Sequence, residues 1–492
     1  MRAALCAALC TALLLALAAP GYAAGHRKRH RRAAPRLMPV AVSFDAGEPG
    51  PTVPSDLLGL SFEVSNLRQI AGYSGGGDLV GLLRSLGTGV LRFGGVSADT
   101  RVAWTQSPVP SWASATIGPA DLRGLARLAQ ETGWRVLLTV GFGHFEPEAA
   151  AREAAAAKAA LGESLEGIEV GNEPNAYALH GLRGEPWTFI QYEEQLAAYR
   201  GAIEAAAPGV PLVGPDTSGS SAYESWGLDE AIDVRPMILT GHHYPLGCEQ
   251  HPPPSISRLL APATRAAERR SLRKYVSIAQ QGAIPFRMDE TNSVSCGGTP
   301  GISDTFASAL WATGYLAQAM SVGVAGVNMH SGSPNNCTGY SPLCVPTPAA
   351  AAEGQMTAQP EWYALLLARE LVGARPLQTT TTSAGNPNVA AYTFADPDGT
   401  LRFVVVDYDP PGKRKLSVSL PAGAQAGGAS VLTLTGPSPT ALSGVHLGGL
   451  PVAANGSWAP LPTLPHAANR DGVVTVTMNP SSAALVTVAP PG

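Results

Sequence analysis

The hydrophobic positions of this chain fall into eight short apolar runs, separated by segments long enough to form helices. Phe189, Tyr192 and Leu196 begin an apolar stripe at helical spacing, and the stripe stops before Pro208. Strands that alternate with helices in this way predict a (β/α)8 barrel. The predicted strands are Leu58 to Val64, Gly89 to Gly95, Arg135 to Gly143, Gly167 to Glu173, Val210 to Asp216, Ile238 to Pro245, Ile284 to Asn292 and Val324 to His330.

The pattern changes after Glu361 to Val372 into short alternating strands separated by turns, with a hairpin signal at Asp396 to Gly399. This predicts an all-β sandwich. We expect it to have a packing role, with carbohydrate binding as the alternative. The predicted organisation is a signal peptide (1–25), a basic linker (26–36), an N-terminal strand that joins the sandwich (37–54), the barrel (55–375) and the sandwich (376–492).

The first residues resemble a secretory signal. Arg2 precedes an apolar run from Ala3 to Ala19, and small residues surround an expected cleavage point near Ala23 to Gly25. This combination predicts a signal peptide, with an uncleaved membrane anchor as the alternative. We therefore expect a secreted protein, extracellular or periplasmic, with no membrane span after signal removal.

Composition and charge narrow the choice of partners. Hydrophobic residues make up 45% of the chain and charged residues 14%, which is typical of a globular protein. Residues 1–36 carry seven lysines and arginines and no acidic residue, so the rest has a formal net charge of −11. An acidic body disfavours nucleic acid and long sulfated polyanions as partners.

Four cysteines remain after signal removal: Cys248, Cys296, Cys337 and Cys344. An even number in an exported chain predicts two disulfides, for which three pairings exist. We expect Cys337 to pair with Cys344 across a short loop, which leaves Cys248 with Cys296. A zinc site is disfavoured because no pair has CxxC spacing.

Two glutamates occupy matching places at strand ends. Glu173 follows an apolar run in GNEP, and Glu290 follows one in IPFRMDETN, 117 residues later. On a barrel both would lie at the rim where the strands end. Two carboxyl groups there favour cleavage of a glycosidic bond, one donating a proton to the leaving oxygen and the other attacking the anomeric carbon.

Residues near the two glutamates suggest which one donates the proton and which one attacks the anomeric carbon. Asn172 precedes Glu173, and its amide can bind the sugar 2-hydroxyl. Tyr244, at the end of the sixth strand, can donate a hydrogen bond that keeps Glu290 ionised.

Other enzyme classes lack their usual motifs. The chain has no G-x-S-x-G, no G-x-G-x-x-G after a strand, no P-loop and no H-E-x-x-H. His242 and His243 point to opposite faces of a strand, so they are expected to be core residues, or one of them a sugar contact, rather than metal ligands. We predict no cofactor and no metal.

Six segments carry a family resemblance: VGNEPNAY, LVGPD, GHHYP, DETNSVSCGG, SDTFASALWA and PEWYALLLARELVG. In this order they are similar to the heparanase and β-glucuronidase family of glycoside hydrolases, family 79, over nearly the whole mature chain. Asn-Glu-Pro alone also occurs in related retaining barrels that act on arabinosides, xylosides and glucosides. The resemblance implies a retaining enzyme with Glu173 as acid/base and Glu290 as nucleophile, in the layout of bacterial exo-β-glucuronidases.

The resemblance also implies a set of substrate contacts. Asp99 matches an aspartate that contacts sugar hydroxyls, and Gly297 with Gly298 matches a glycine pair whose amides receive the uronate carboxylate. Tyr340 resembles a tyrosine that touches the same carboxylate, and Tyr223 is a weaker candidate for a sugar contact.

Departures from the family favour one activity over others. Animal heparanase carries an excised linker between strands two and three, whereas Thr100 to Arg135 has no spare segment, and no basic stripe accompanies the cleft motifs. Both points favour an exo-β-glucuronidase that releases β-linked glucuronic acid, with or without a 4-O-methyl group, from glycan chains. The alternatives are an endo-acting heparanase-like enzyme, a retaining glycosidase of neutral sugars and an inactive carbohydrate-binding barrel.

Overall fold

The protein is described by a computed structural model that covers residues 37–105 and 109–490. The expected signal peptide and basic linker lie outside these residues. Within them, no helix combines the length and hydropathy needed to cross a bilayer.

Strands and helices alternate through the first three quarters of the described chain. The strands are β1 (Met38–Asp45), β2 (Leu58–Glu63), β3 (Val90–Gly94), β4 (Val102–Trp104), β5 (Ala115–Ile117), β6 (Arg135–Val140), β7 (Leu165–Val170), β8 (Leu212–Ser218), β9 (Ile238–His243), β10 (Phe286–Thr291), β11 (Gly326–His330), β12 (Leu343–Cys344) and β13 (Thr357–Ala358). The helices are α1 (Leu67–Gly72), α2 (Leu79–Leu86), α3 (Ser97–Thr100), α4 (Pro119–Thr132), α5 (Pro147–Leu161), α6 (Phe189–Ala206), α7 (Gly219–Asp229), α8 (Ile256–Leu259), α9 (Pro262–Gly282), α10 (Phe306–Val322), α11 (Pro348–Ala352) and α12 (Trp362–Arg369).

Eight parallel strands close into a barrel in the order β2-β3-β6-β7-β8-β9-β10-β11, and β11 pairs back to β2. This confirms the predicted barrel. The strands are covered on both faces, so β3, β7 and β10 are buried at every position. The predicted strand from Gly167 to Glu173 ends three residues earlier, at Val170, because the backbone turns into the left-handed region at Gly171.

Strand β1 and the ten strands after the barrel form one mixed sheet of eleven strands, while β4 pairs with β5 and β12 pairs with β13 in two small separate sheets. The ten strands are β14 (Arg375–Ser383), β15 (Val389–Ala395), β16 (Leu401–Asp407), β17 (Leu416–Pro421), β18 (Ala429–Thr435), β19 (His446–Leu447), β20 (His466–Ala467), β21 (Asn469–Arg470), β22 (Val473–Met478) and β23 (Ser482–Val488). Strand β1 joins this sheet between β14 and β17. The sheet curls over its own core, which brings Val40 and Val418 together with Phe403 and Val486, so the two layers belong to one sheet.

The outer face of the sheet packs against the barrel through α10 and α12. Helix α10 is buried around nearly its whole circumference, as expected for a helix held between two layers. The contact is close at Gly314, where a Cβ atom would lie 1.8 Å from the Tyr408 hydroxyl. Helix α10 follows β10 directly, so this packing supports the strand that carries Glu290.

Both disulfides have the expected pairing. Cys248–Cys296 joins the loops after β9 and β10, and Cys337–Cys344 closes the loop after β11. The main-chain N–H of Tyr340 donates to the carbonyl of Gly297, 3.1 Å away, which ties the second of these loops to the third. The loops after β9, β10 and β11 therefore form one connected wall at the carboxyl end of the barrel.

Candidate active site

Glu173 lies just beyond the end of β7, at the carboxyl end of the barrel. Its backbone is left-handed (φ 51°), and its N–H donates to the carbonyl of Asp216, 3.0 Å away. Gly171 before it is required, because a Cβ atom there would meet the Tyr177 hydroxyl at 2.5 Å. The side chain of Glu173 is 26% exposed and is therefore open to a ligand. This strained turn directs the carboxylate over the barrel end instead of along the strand.

Glu290 reaches the same place from β10 by way of an irregularity in that strand. The register between β10 and β9 shifts between Met288 and Glu290, which makes Asp289 the extra residue of a bulge. Asp289 and Glu290 can therefore both contact Arg92 inside the barrel, at 3.3 and 2.7 Å, although neighbouring residues of a regular strand point to opposite faces.

The two glutamates are close together. One carboxylate oxygen of Glu173 and one of Glu290 lie within 4.8 Å of each other. Retaining glycosidases separate their carboxyl groups by about 5 to 5.5 Å, and inverting enzymes by about 6.5 Å or more because a water molecule must fit between. The observed approach of the two oxygen atoms is compatible with the arrangement of retaining enzymes.

Tyr244 and Tyr340 stand beside Glu290. The Tyr244 hydroxyl donates to Glu290 Oε1 at 2.8 Å, which is the contact expected from the sequence. Its oxygen is 3.3 Å from the Tyr340 hydroxyl, and the two rings are stacked with centroids 5.8 Å apart. Both tyrosines belong to the loop wall, so the wall also positions the carboxylate of Glu290.

His242 links the two sides of the site. Its Nδ1 lies 2.9 Å from Glu173 Oε1, and its Nε2 lies 2.5 Å from Asp216 Oδ1. Burial lowers the pKa of this imidazole, but the Asp216 and Glu290 carboxylates outweigh burial and raise the pKa well above its usual range. A charged imidazole donates one hydrogen bond to each carboxylate, so His242 fixes the orientation of Glu173.

Arg92 lies at the centre of the barrel below these groups and is fully buried. Its Nη1 donates to Glu290 and to Ser61, and its Nη2 donates to Asp216 and to the side-chain oxygen of Asn172. The fixed fork of the guanidinium group thus holds the nucleophile candidate and Asn172 in one geometry. The Nδ2 group of Asn172 has no acceptor among the described residues, so it is free to bind a ligand.

The electrostatics of this cluster favour an ionised Glu290. Burial raises the pKa of Glu290, but the neighbouring His242, His330 and Arg92 and the hydrogen bond from Tyr244 outweigh it and lower the pKa well below its usual range. Burial and nearby carboxylates raise the pKa of Glu169 and of Asp289 to about 8. These shifts favour the protonated forms of Glu169 and Asp289, which reduces the negative charge that faces Arg92 and His242.

Asp99, the expected sugar contact, is buried, and four donors already bind its carboxylate. It is 2% exposed, and its oxygens accept hydrogen bonds from the N–H groups of Phe142, Gly143 and Asn172 and from the Tyr177 hydroxyl. These four donors leave no lone pair for a sugar. The geometry therefore supports Asp99 as a residue that fixes the backbone of Asn172, instead of a sugar contact.

Tyr223 also lies away from the site. It is fully buried on α7, where its ring packs against Tyr275 and Phe286 with centroids 4.6 and 5.4 Å away. This places it between the barrel wall and the surrounding helices, so the predicted sugar contact finds no support. Its burial could not be predicted from the sequence, because an aromatic residue after a strand can face either the site or the surrounding helices.

Gly297 and Gly298 differ in whether their main-chain N–H groups already have an acceptor. Both have φ of 86°, and Cys296 before them is left-handed as well. Gly298 donates its N–H to the carbonyl of Ser295, whereas the N–H of Gly297 has no acceptor among the described residues. A Cβ atom on Gly298 would lie 2.4 Å from the Tyr340 nitrogen, so this position requires glycine. Only Gly297 retains an amide for a ligand carboxylate.

Several site residues were not predicted from the sequence. They are Arg92, Asp216, Asp289, Glu169 and His330, together with His242, which was expected to be a core residue or a sugar contact. A signal existed for two of them: Arg92 is the one charged residue in the run VLRFG, and Asp216 closes the run LVGPD. Glu63, at the end of β2, adds a carboxylate near this end of the barrel and accepts from the N–H of Ser97.

In the part of the chain that the structure describes, two trios of side chains have the spacing of metal ligands: Glu173 with His242 and Glu290, and Asp216 with His242 and Asp289. Both trios depend on His242, whose two nitrogens already contact Glu173 and Asp216. The prediction that the site uses no metal and no cofactor stays a prediction.

Two proteins with sequences similar to this chain are both β-glucuronidases. A β-glucuronidase of Aspergillus niger is 27% identical over 211 residues, and one of Neurospora crassa is 26% identical over 209 residues. The chain is similar to fungal β-glucuronidases. This confirms the predicted resemblance, although each match covers 38% of this chain and only 38% or 37% of the relative. No protein-family profile matches the chain.

Solved structures agree on the fold. The crystal structure of a 4-O-α-L-rhamnosyl-β-D-glucuronidase from Fusarium oxysporum 12S superposes with a TM-score of 0.75, covering 92% of this chain and 100% of that one at 20% identity. A family 51 arabinofuranosidase from Xanthomonas axonopodis pv. citri gives 0.66 at 14% identity, covering 92% and 100%. At these sequence identities, the structural similarity shows a shared fold, which is the barrel with its β domain.

Proposed function

We propose that the protein is a retaining exo-β-glucuronidase that releases β-linked glucuronic acid from glycan chains. The observation that carries the proposal is the approach of Glu173 and Glu290 to within 4.8 Å at the carboxyl end of the barrel. The similarity to fungal β-glucuronidases supports the sugar. The two disulfides support an oxidising location, and with it the predicted export of the protein.

Two displacements at the anomeric carbon account for the reaction. In the first, Glu290 attacks C1, the bond from C1 to the leaving oxygen breaks, and Glu173 gives that oxygen its proton. In the second, Glu173 takes a proton from water, the water oxygen bonds to C1, and the bond to Glu290 breaks. The second displacement returns a proton to Glu173 and frees the carboxylate of Glu290, so both carboxyl groups return to their starting states.

The surrounding residues suit these roles. Arg92, Tyr244 and the charged neighbours keep Glu290 ionised and therefore nucleophilic, while His242 contacts one oxygen of Glu173 and leaves the other for the leaving group. Asn172, held by Arg92, can donate to the sugar 2-hydroxyl, a contact that strengthens in the oxocarbenium-like transition state. Gly297 N–H and the Tyr340 hydroxyl are the candidates for receiving the uronate carboxylate.

A panel of aryl glycosides tests the activity and the sugar. We expect turnover of the aryl β-glucuronide and little turnover of the matching glucoside, xyloside and arabinofuranoside. Preference for a neutral sugar would support a related retaining glycosidase, and binding of glucuronic acid without turnover of any substrate would support an inactive carbohydrate-binding barrel.

Replacement of the glutamates tests the roles. Glu290→Ala should abolish turnover, whereas Glu173→Ala should still hydrolyse substrates with good leaving groups slowly and should form a β-azide product with azide. Glu148→Ala, an exposed position on α5, is the control and should behave as the unmodified protein. An inverted product would show that the two carboxyl groups do not work by double displacement.

A further inference from the structure

Helix α9 carries three exposed arginines on one patch of its surface. Arg269 and Arg273 are four residues apart and Arg270 and Arg273 are three apart, so their side chains are neighbours on the helix. We call these three residues the arginine cluster.

Among the residues that the structure describes, no carboxylate pairs with the arginine cluster. Glu268 is the one acidic residue of α9, and it is buried against Trp311, whose Nε1 donates to it at 2.7 Å. None of the three arginines forms an ion pair with a carboxylate in the described ranges. Partial burial and the charge of Arg273 lower the pKa of Arg269, as expected where positive charges face each other without an acidic partner.

Other cations on the same helix have partners, which separates them from the cluster. Arg265 donates to the Leu260 carbonyl and to Asn388, and lies over the ring of Tyr408 at 4.1 Å, so it helps to join the barrel to the sheet. Lys274 pairs with Glu224 at 2.7 Å. Within the described ranges, none of the three cluster arginines donates a hydrogen bond or lies over an aromatic ring, although Arg269 is partly buried near Tyr392 of β15.

The cluster is a local concentration of positive charge on a protein that is acidic overall. The chain from Leu37 onward has a formal net charge of −11, part of which belongs to buried carboxyl groups such as those of Glu169 and Asp289. Three neighbouring positive charges attract a flexible chain of low charge density, whereas the acidic composition disfavours a long and densely charged polymer. Guanidinium groups also bind carboxylates through two parallel hydrogen bonds.

We propose that the arginine cluster is a second binding site, which holds a carboxylate-bearing polysaccharide at a distance from the sugar that is cleaved. The proposal rests on the proposed function, since it names the polymer that would feed the same site. Helix α9 lies between the loop after β9, which carries Tyr244, and β10, which carries Glu290, so it starts at the active-site end of the barrel and runs down its wall. A polysaccharide bound to the arginine cluster keeps its ends near the active site, which raises their local concentration there.

Binding is measured without reference to activity, using a fluorescently labelled polymer of glucuronic acid at low salt. The test variant is Arg269→Gln, Arg270→Gln and Arg273→Gln combined. The matched control is Arg123→Gln, Arg127→Gln and Arg152→Gln combined, three exposed arginines on α4 and α5 that give the same change in charge. The cluster variant should bind about tenfold more weakly and the control within about twofold, and the difference should disappear near about 1 M salt.

Activity supplies a second measurement. Both variants should hydrolyse a small aryl β-glucuronide as the unmodified protein does, while the cluster variant should lose kcat/KM on the polymer. Equal weakening in both variants, no weakening in either, or tighter binding of single-stranded DNA or anionic vesicles than of the polysaccharide would overturn the proposal. If the unmodified protein does not cleave the aryl glucuronide, the proposed function fails, and the binding measurement still decides the cluster.

Discussion

Glu153 offers a direct test of how this protein responds to pH. It lies on α5, is 6% exposed and makes no hydrogen bond or ion pair with the described residues. It lines a cavity of about 20 Å³, room for about one water molecule, whose other lining residues include Trp104, Asp99, His144 and Glu146. Burial alone raises the pKa of Glu153 from 4.5 to about 8.

The direction in which stability changes with pH follows from the pKa of Glu153 in the folded and in the unfolded state. Because the folded value exceeds the unfolded one, the folded state keeps a proton that the unfolded state has released between pH 4.5 and about 8. The stability contributed by the neutral acid is complete below about pH 4.5 and is lost as pH rises to about 8. A shift of that size corresponds to at most about 5 kcal/mol, and relaxation or water entry would reduce it.

The variant Glu153→Gln keeps the shape and cannot ionise. We expect its free energy of unfolding to match that of the unmodified protein near pH 4.5 and to exceed it increasingly towards pH 8, by about 2 to 5 kcal/mol. Urea unfolding followed by tryptophan fluorescence across this range measures the difference. Glu148→Gln, exposed on the same helix, should show no such trend. A difference that stays flat with pH would refute the reasoning.

Three further substitutions test the site. Tyr244→Phe keeps the stacked ring but removes the hydrogen bond to Glu290. We expect kcat/KM on an aryl β-glucuronide to fall by about 10- to 100-fold and the melting temperature to stay unchanged. An unchanged kcat/KM would contradict the role given to the Tyr244 hydroxyl. Arg92→Met leaves several buried carboxylates unpaired and should lower the free energy of unfolding by about 3 to 5 kcal/mol, measured by urea denaturation at pH 7. Gly298→Ala forces a contact with the Tyr340 backbone and should raise KM for the glucuronide more than it lowers kcat; equal losses would argue against a binding role for this loop.

The sequence by itself determined the barrel, the β domain and the place of the two glutamates. Apolar runs record which segments are buried strands, and Pro174 after Glu173 marks where one strand must stop. The disulfide pairing followed from the short loop that Cys337 and Cys344 can close. These are local properties, which a chain carries before it folds.

Only the tertiary structure decided how the site is assembled. Arg92, Asp216 and His242 come from separate strands, and barrel closure brings them to a common centre. The bulge at Asp289 depends on the register with β9, and the burial of Asp99 and Tyr223 depends on what packs over them, so no pattern along the chain could give either. Side-chain partners across a barrel are set by strand register and closure, and the linear spacing of residues contains neither.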